Sequence, residues 1–93
     1  MEFTHVDGRD KGKVILYAIS TCIWCKKTKR LLNEIRVAYD FIDVDLLQDG
    51  EKEKIRKEVL KWKERVGYPV IVINDSECIP NFDPDKIREV LGG

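Results

Sequence analysis

Short apolar runs separated by longer polar stretches of helical spacing predict most of the elements of this chain. Residues 14–19 (V-I-L-Y-A-I) are apolar without interruption, between a lysine and Ser20-Thr21. A run of that length suits a strand covered on both faces. T-C-I-W-C then leads into K-K-T-K-R-L-L-N-E-I, where Leu31, Leu32 and Ile35 cluster at one-turn spacing. Ser20 or Thr21 can cap this helix. Residues 38–44 (A-Y-D-F-I-D-V) read as a second strand, so that 14–44 make a βαβ unit. Asp49-Gly50 open a longer helix whose stripe is Ile55, Val59, Trp62 and Val66, with Glu53 and Lys57 paired across one turn. Gly67 is expected in the positive-φ position past its end.

Pro69 begins a third strand, V-I-V-I. A polar turn at Asn74, Asp75 and Ser76 follows, then a short strand over 77–79. Asp83-Pro84 start the last helix as N-cap and first residue; its apolar face is Ile87, Val90 and Leu91, and Gly92-Gly93 end it. The predicted order is β-α-β-α-β-β-α. Residues 1–12 carry five charges around Phe3, His5 and Val6. They are read as an N-terminal arm, with a short extra strand as the other reading, and 13–93 as a single domain.

Composition narrows the functional classes. Ninety-three residues leave room for one domain and a site close to its surface. Seventeen basic residues balance seventeen acidic ones, so nucleic acid is not an expected partner. No apolar stretch nears the roughly 18–20 residues that cross a bilayer, and the N-terminus lacks the order of a signal peptide. Three cysteines, an odd number, do not suggest a secreted disulfide framework. The expected location is cytoplasmic, where a close cysteine pair points to redox chemistry or a metal.

That pair is Cys22-Ile23-Trp24-Cys25. Two intervening residues suit a reversible disulfide or half of a thiolate metal site; a four-cysteine zinc site would need a second pair, and only Cys78 remains. Placed between a buried strand and a helix, Cys22 would meet the unpaired N–H groups and positive dipole end that favour a thiolate. Lys26 and Lys27, one turn on, would add to this thiolate stabilisation. Cys22 is assigned as the nucleophile and Cys25 as the thiol that resolves the mixed disulfide. Trp24, between the thiols, is read as a substrate-binding residue with one exposed ring face, whereas Trp62 is read as core. Tyr68-Pro69 stand at a strand entry. If the bond is cis, the main chain of Tyr68 turns outward near Cys22 and can hold an extended substrate segment; in trans it is a rigid strand entry.

K-V-I-L-Y, C-I-W-C with its helix, Y-P-V-I-V-I and F-D-P-D-K-I occur in an order and spacing that resemble the glutaredoxin family of thioredoxin-fold redox proteins. The last stretch is most similar to the glutaredoxin-like small hydrogen donors of ribonucleotide reductase. The resemblance covers about residues 13–91. It implies an α/β, thioredoxin-like fold: a four-stranded mixed sheet flanked by three helices, with Cys22 exposed and Pro69 in cis. It further implies a dithiol–disulfide oxidoreductase or electron carrier acting on disulfide-containing proteins, ribonucleotide reductase among the candidates. Pro80-Asn81 replace the family's small glycine turn that receives a glutathione carboxylate, and proline removes a backbone donor there. The expected electron source is therefore a thioredoxin-reductase-type flavoprotein or a small thiol, glutathione or another, with no tightly bound cofactor and a monomeric protein. The alternative function is an iron–sulfur or metal carrier, with a [2Fe-2S] cluster held through Cys22 at a dimer interface. A basic stretch over 26–36 precedes an acidic run at Asp40, Asp43, Asp45, Asp49 and Glu51; it is either a solvated face or a surface that steers an acidic partner. Cys78 reads as an inert half-buried thiol, and His5 receives no function.

Overall fold

A computed structural model describes residues 2–93; Met1, the first residue of the expected arm, lies outside the described residues. The strands are β1 (Thr4–Val6), β2 (Val14–Ala18), β3 (Tyr39–Asp43), β4 (Val70–Ile73) and β5 (Glu77–Ile79), and the helices are α1 (Ile23–Glu34), α2 (Asp49–Leu60) and α3 (Pro84–Leu91). They build one mixed sheet in the order β1-β3-β2-β4-β5. β2 and β3 are parallel, and every other pairing is antiparallel.

The unbroken apolar runs follow from a sheet covered on both sides. Val14, Leu16 and Ala18 of β2, with Ile71 and Ile73 of β4, face α1 and α3, where they meet Leu31, Leu32, Ile87 and Leu91. Tyr17 of β2 and Val70 and Val72 of β4 face the other way, onto Ile55 and Val59 of α2. Because side chains alternate along a strand, each central strand feeds both clusters.

Three expectations change. The sheet has five strands rather than four, because residues 4–6 pair with β3 as an edge strand, with Thr4, His5 and Val6 opposite Phe41, Asp40 and Tyr39. The segment that follows is also fastened: the Arg9 N–H donates to Arg36 O at 2.6 Å, and the Ala38 N–H donates to Arg9 O at 2.9 Å. A side chain at Gly8 would meet Arg36 O at 2.5 Å, so only glycine passes there. Secondly, α2 stops at Leu60, leaving Trp62 half-buried against the α2 cluster and Val66 exposed beyond it. There the Lys61 N–H turns onto Glu58 O and the Trp62 N–H onto Val59 O, tightening the last turn. Gly67 accordingly caps nothing; Gly12 is the positive-φ glycine among the described residues. Thirdly, Glu53 approaches Arg56, at 4.0 Å, rather than the expected Lys57.

Other expectations hold. The Asp83 carboxylate caps α3 by accepting from the Lys86 N–H, with Pro84 at the first position. Asn74 and Asp75, both at positive φ, turn β4 into β5.

His5 gives β1 a pH-dependent contact. Its Nδ1 lies 2.7 Å from Asp40 Oδ1 and its Nε2 lies 3.0 Å from Asp7 Oδ1. The Asp40 contact is the main cause of a pKa raised above the ordinary histidine value; desolvation opposes it, and Asp7 adds to the rise. A raised folded-state pKa stabilises below the unfolded value and stops doing so as pH rises through the folded one. The His5 ring is therefore expected to titrate above about 6.5 by NMR. Asp40→Asn should move that midpoint down; an unchanged midpoint would remove Asp40 as its cause.

Candidate functional site

The turn between β2 and α1 carries the chemistry. The Cys22 N–H donates to Ile19 O at 3.1 Å, and Asp45 clamps the turn from the 3-10 segment Val44–Leu46. The Ser20 N–H donates to Asp45 Oδ1 at 2.8 Å, and the Ser20 hydroxyl donates to Asp45 Oδ2. These two bonds hold the Asp45 carboxyl below the usual carboxylate range. With Ser20 so engaged and Thr21 exposed, neither is the cap of α1. The cap is Cys22 itself, in extended conformation, its sulfur accepting from the Cys25 N–H at 3.3 Å.

The two thiols differ because the helix turns one outward and one inward. Cys22 is half-buried and Cys25 fully buried. Partial burial pushes the Cys22 thiol up, but bonds from the Cys25 thiol and from the N–H groups of Cys25 and Trp24 outweigh it, leaving the thiol below its ordinary value. Lys26 and Lys27 were expected to supply this stabilisation. The groups that lower Cys22 are instead the neighbouring thiol and the helix N–H groups, and Lys27 Nζ sits over the Trp24 ring, 4.6 Å from its centre. Burial drives Cys25 the other way, to about 12, helped by its bond to Cys22. The Ile19 N–H, 3.4 Å from Cys25 Sγ, and the charge of Lys29 oppose that rise. Lys29 lies one turn beyond Cys25, paired with Asp43 Oδ1 at 2.9 Å and seated over the Phe41 ring.

A selectivity follows from these directions. At neutral pH Cys22 holds the larger thiolate population, and Cys25 is buried as well. Iodoacetamide should therefore modify Cys22 at least about tenfold faster than Cys25, read by peptide mass spectrometry. Equal rates would contradict the assignment of roles.

An open groove of about 290 Å³ is lined by Trp24, which stands between the two cysteines, and by Tyr68, Pro69, Asn81 and Phe82. Trp24 is 51% exposed and stacks on Phe82, with ring centres 5.7 Å apart. The Tyr68-Pro69 bond is cis, and Tyr68 packs against both core clusters. Trp24, Tyr68 and Pro69, singled out in the sequence, thus line one groove, entered from the cysteine turn through Trp24. Phe82, Asn81, Asp45 and Lys29 were not assigned to the site; their positions become visible only when distant segments are brought together. Cys78 lies half-buried on the opposite, α2, face, its thiol pushed up by burial.

A paired-cysteine turn at the head of a helix, on a mixed sheet with helices on both faces, defines a thiol–disulfide oxidoreductase of the thioredoxin fold. The glutaredoxin family model matches residues 14–78. A glutaredoxin-like 8.6 kDa protein in the rubredoxin operon of Clostridium pasteurianum is 36% identical over 76 residues, spanning 82% of this chain and 93% of its own. The crystal structure of a glutaredoxin from Methanosarcina mazei Go1 is 44% identical with a TM-score of 0.91, covering 100% of this chain and 90% of that one. Methanosarcina acetivorans methanoredoxin is 42% identical with a TM-score of 0.88, covering 92% and 90%. The chain belongs to the glutaredoxin family.

Proposed function

We propose that the protein is a dithiol reductant of disulfides in which Cys22 attacks and Cys25 resolves. The single observation that carries this reading is the asymmetry of the pair: an outward thiol with its pKa lowered stands directly in front of a buried thiol with its pKa raised. The Cys22 thiolate attacks one sulfur of the substrate disulfide. The old S–S bond breaks, its other sulfur leaves as a thiolate and takes a proton, and Cys22 is joined to the substrate. Cys25 then loses its proton, attacks the Cys22 sulfur and releases the second substrate sulfur, which is protonated in turn. Two electrons have passed to the substrate, and the protein carries a Cys22–Cys25 disulfide.

Separation of the two pKa values orders these steps. Cys22 is the readier thiolate in the free protein, so Cys25 does not compete for the first attack. Once Cys22 is tied up as a mixed disulfide, Cys25 needs only to act within one turn of the same helix, where proximity replaces concentration. Lys29 is the cation that favours its ionised form. The Tyr68 main chain beside Pro69 receives the substrate as a short added strand, with Trp24 and Phe82 as its apolar floor.

The oxidised pair is recharged by two electrons and two protons from a thioredoxin-reductase-type flavoprotein or from a small thiol. Pro80 offers no N–H to a glutathione carboxylate, so NADPH-coupled turnover is expected to be faster with the flavoprotein than with glutathione and glutathione reductase. Disulfide-containing proteins of the cytoplasm, a ribonucleotide reductase among them, are the substrates this reading favours.

The test is a trap. Cys25→Ser should accumulate a mixed disulfide through Cys22 that mass spectrometry identifies. Failure of any adduct to form on Cys22 with a low-molecular-weight disulfide would overturn the proposal.

A further inference from the structure

We propose that a basic groove between α1 and α3 docks the acidic polypeptide segment that flanks the target's reactive cysteine. The proposal rests on the reading of Cys22 as the exchange nucleophile and adds the class of substrate to it. Phe82, which lines the Trp24–Tyr68–Pro69 groove, also lines a second cavity of about 290 Å³. The two cavities are therefore neighbours that share the Phe82 side chain. The second is bounded by Lys27, Arg30 and Arg88, against the single acidic residue Glu34.

The charges there are not consumed internally. Glu34 is answered by Arg88 at 3.7 Å. Lys27 rests on the Trp24 ring at the junction of the two cavities. Arg30 is exposed and has no ion pair among the described residues. Two cations are thus left over, and a groove lined by one sign of charge attracts the opposite sign and orients it.

Distance favours a polypeptide over a small thiol. Arg30 lies eight residues beyond Cys22 along the same helix, about 12 Å at 1.5 Å per residue. An extended chain covers that in about four residues at roughly 3.3 Å each. A molecule of a few heavy atoms bonded to Cys22 would stop short of Arg30. The fitting substrate carries Asp or Glu about two to five positions from its cysteine, on the side that crosses Trp24 and Phe82.

The test uses the reduced full chain and three synthetic peptides with the same internal disulfide and Asp-Glu, Asn-Gln or Lys-Lys at those positions. Hydroxyethyl disulfide serves as a neutral small substrate. The acidic peptide should be reduced about tenfold faster than the neutral one at low salt. Arg30→Ala with Arg88→Ala should cut that preference about three- to tenfold, Glu34→Gln should increase it, and hydroxyethyl disulfide should react equally with all of them. Equal rates for the acidic and neutral peptides, or a preference that survives in the arginine variant, would overturn the proposal.

A cysteine-free acidic peptide carrying a fluorophore provides the second measurement. Its anisotropy reads docking without any exchange, so inactivity toward hydroxyethyl disulfide would refute the redox reading while binding still decides the groove. Binding lost in the arginine variant supports the groove. No binding, or equal binding of a single-stranded oligonucleotide, overturns it.

Discussion

Cys22→Ser is expected to lower disulfide reduction by about a thousandfold or more, to the uncatalysed rate, while leaving the fold intact. A serine hydroxyl in the same place can still accept the Cys25 N–H and cap α1, so the helix keeps its start. What it lacks is an accessible anion: the helix N–H groups that bring a thiol toward ionisation near neutral pH leave an alcohol far from it. Cys25 cannot substitute, because it is buried and its thiol stands at about 12. The measurement is reduction of hydroxyethyl disulfide by the pre-reduced protein, followed across pH. In the unmodified protein the rate should rise with pH to a plateau, with its midpoint below that of an ordinary thiol, as the lowered Cys22 pKa requires. Retention of a tenth of the activity in the serine variant would place the nucleophile elsewhere.

The contrast between the two cysteines shows what can be read from a chain and what cannot. C-I-W-C, the strand before it and the helix after it are contiguous, and their spacing alone places Cys22 at a helix start with Cys25 one turn in. Pro69 was legible for a similar reason, since a proline heading an apolar run has few places to stand in a sheet. The identity of the cap was not legible. Ser20 has good capping chemistry, yet its hydroxyl and N–H are taken by Asp45, twenty-five residues away. Nor did spacing single out Phe82 as the partner of Trp24, because that contact joins the first helix to the approach of the last. Nor does proximity in sequence give direction: Lys27 leans onto Trp24.

The fold shows the same division. Central strands announced themselves by apolar runs because both their faces are covered. The edge strand β1 did not, since its residues are mostly exposed and only its pairing with β3 makes it a strand. Five charges in twelve residues looked like a solvated arm. One of those charges is what fastens it.

Arg9→Ala is expected to destabilise the protein by about 2 kcal/mol, a large effect for an exposed residue. The Arg9 guanidinium donates to Ile35 O through Nε at 3.2 Å and Nη2 at 2.7 Å, to Leu91 O through Nη2 at 3.2 Å and to Gly93 O through Nη1 at 2.9 Å. Ile35 is the C-cap residue of α1 and Leu91 the last residue of α3, so one cation sits at the negative ends of two helices and satisfies carbonyls that have no partner within them. Each helix-end interaction contributes about 0.3–1 kcal/mol, and charge-assisted bonds add to that within the limits set by solvent exposure. For a chain of this length about 2 kcal/mol corresponds to a fall in Tm of roughly 10 °C. Arg9→Lys separates charge from geometry: an ammonium keeps the favourable sign but cannot fork between Ile35 and Leu91, so it should recover less than half of the loss. Thermal unfolding of the three proteins decides the matter. A Tm within about 2 °C of the parent for Arg9→Ala would mean that the main-chain bonds of residues 9, 36 and 38 hold the segment without the side chain.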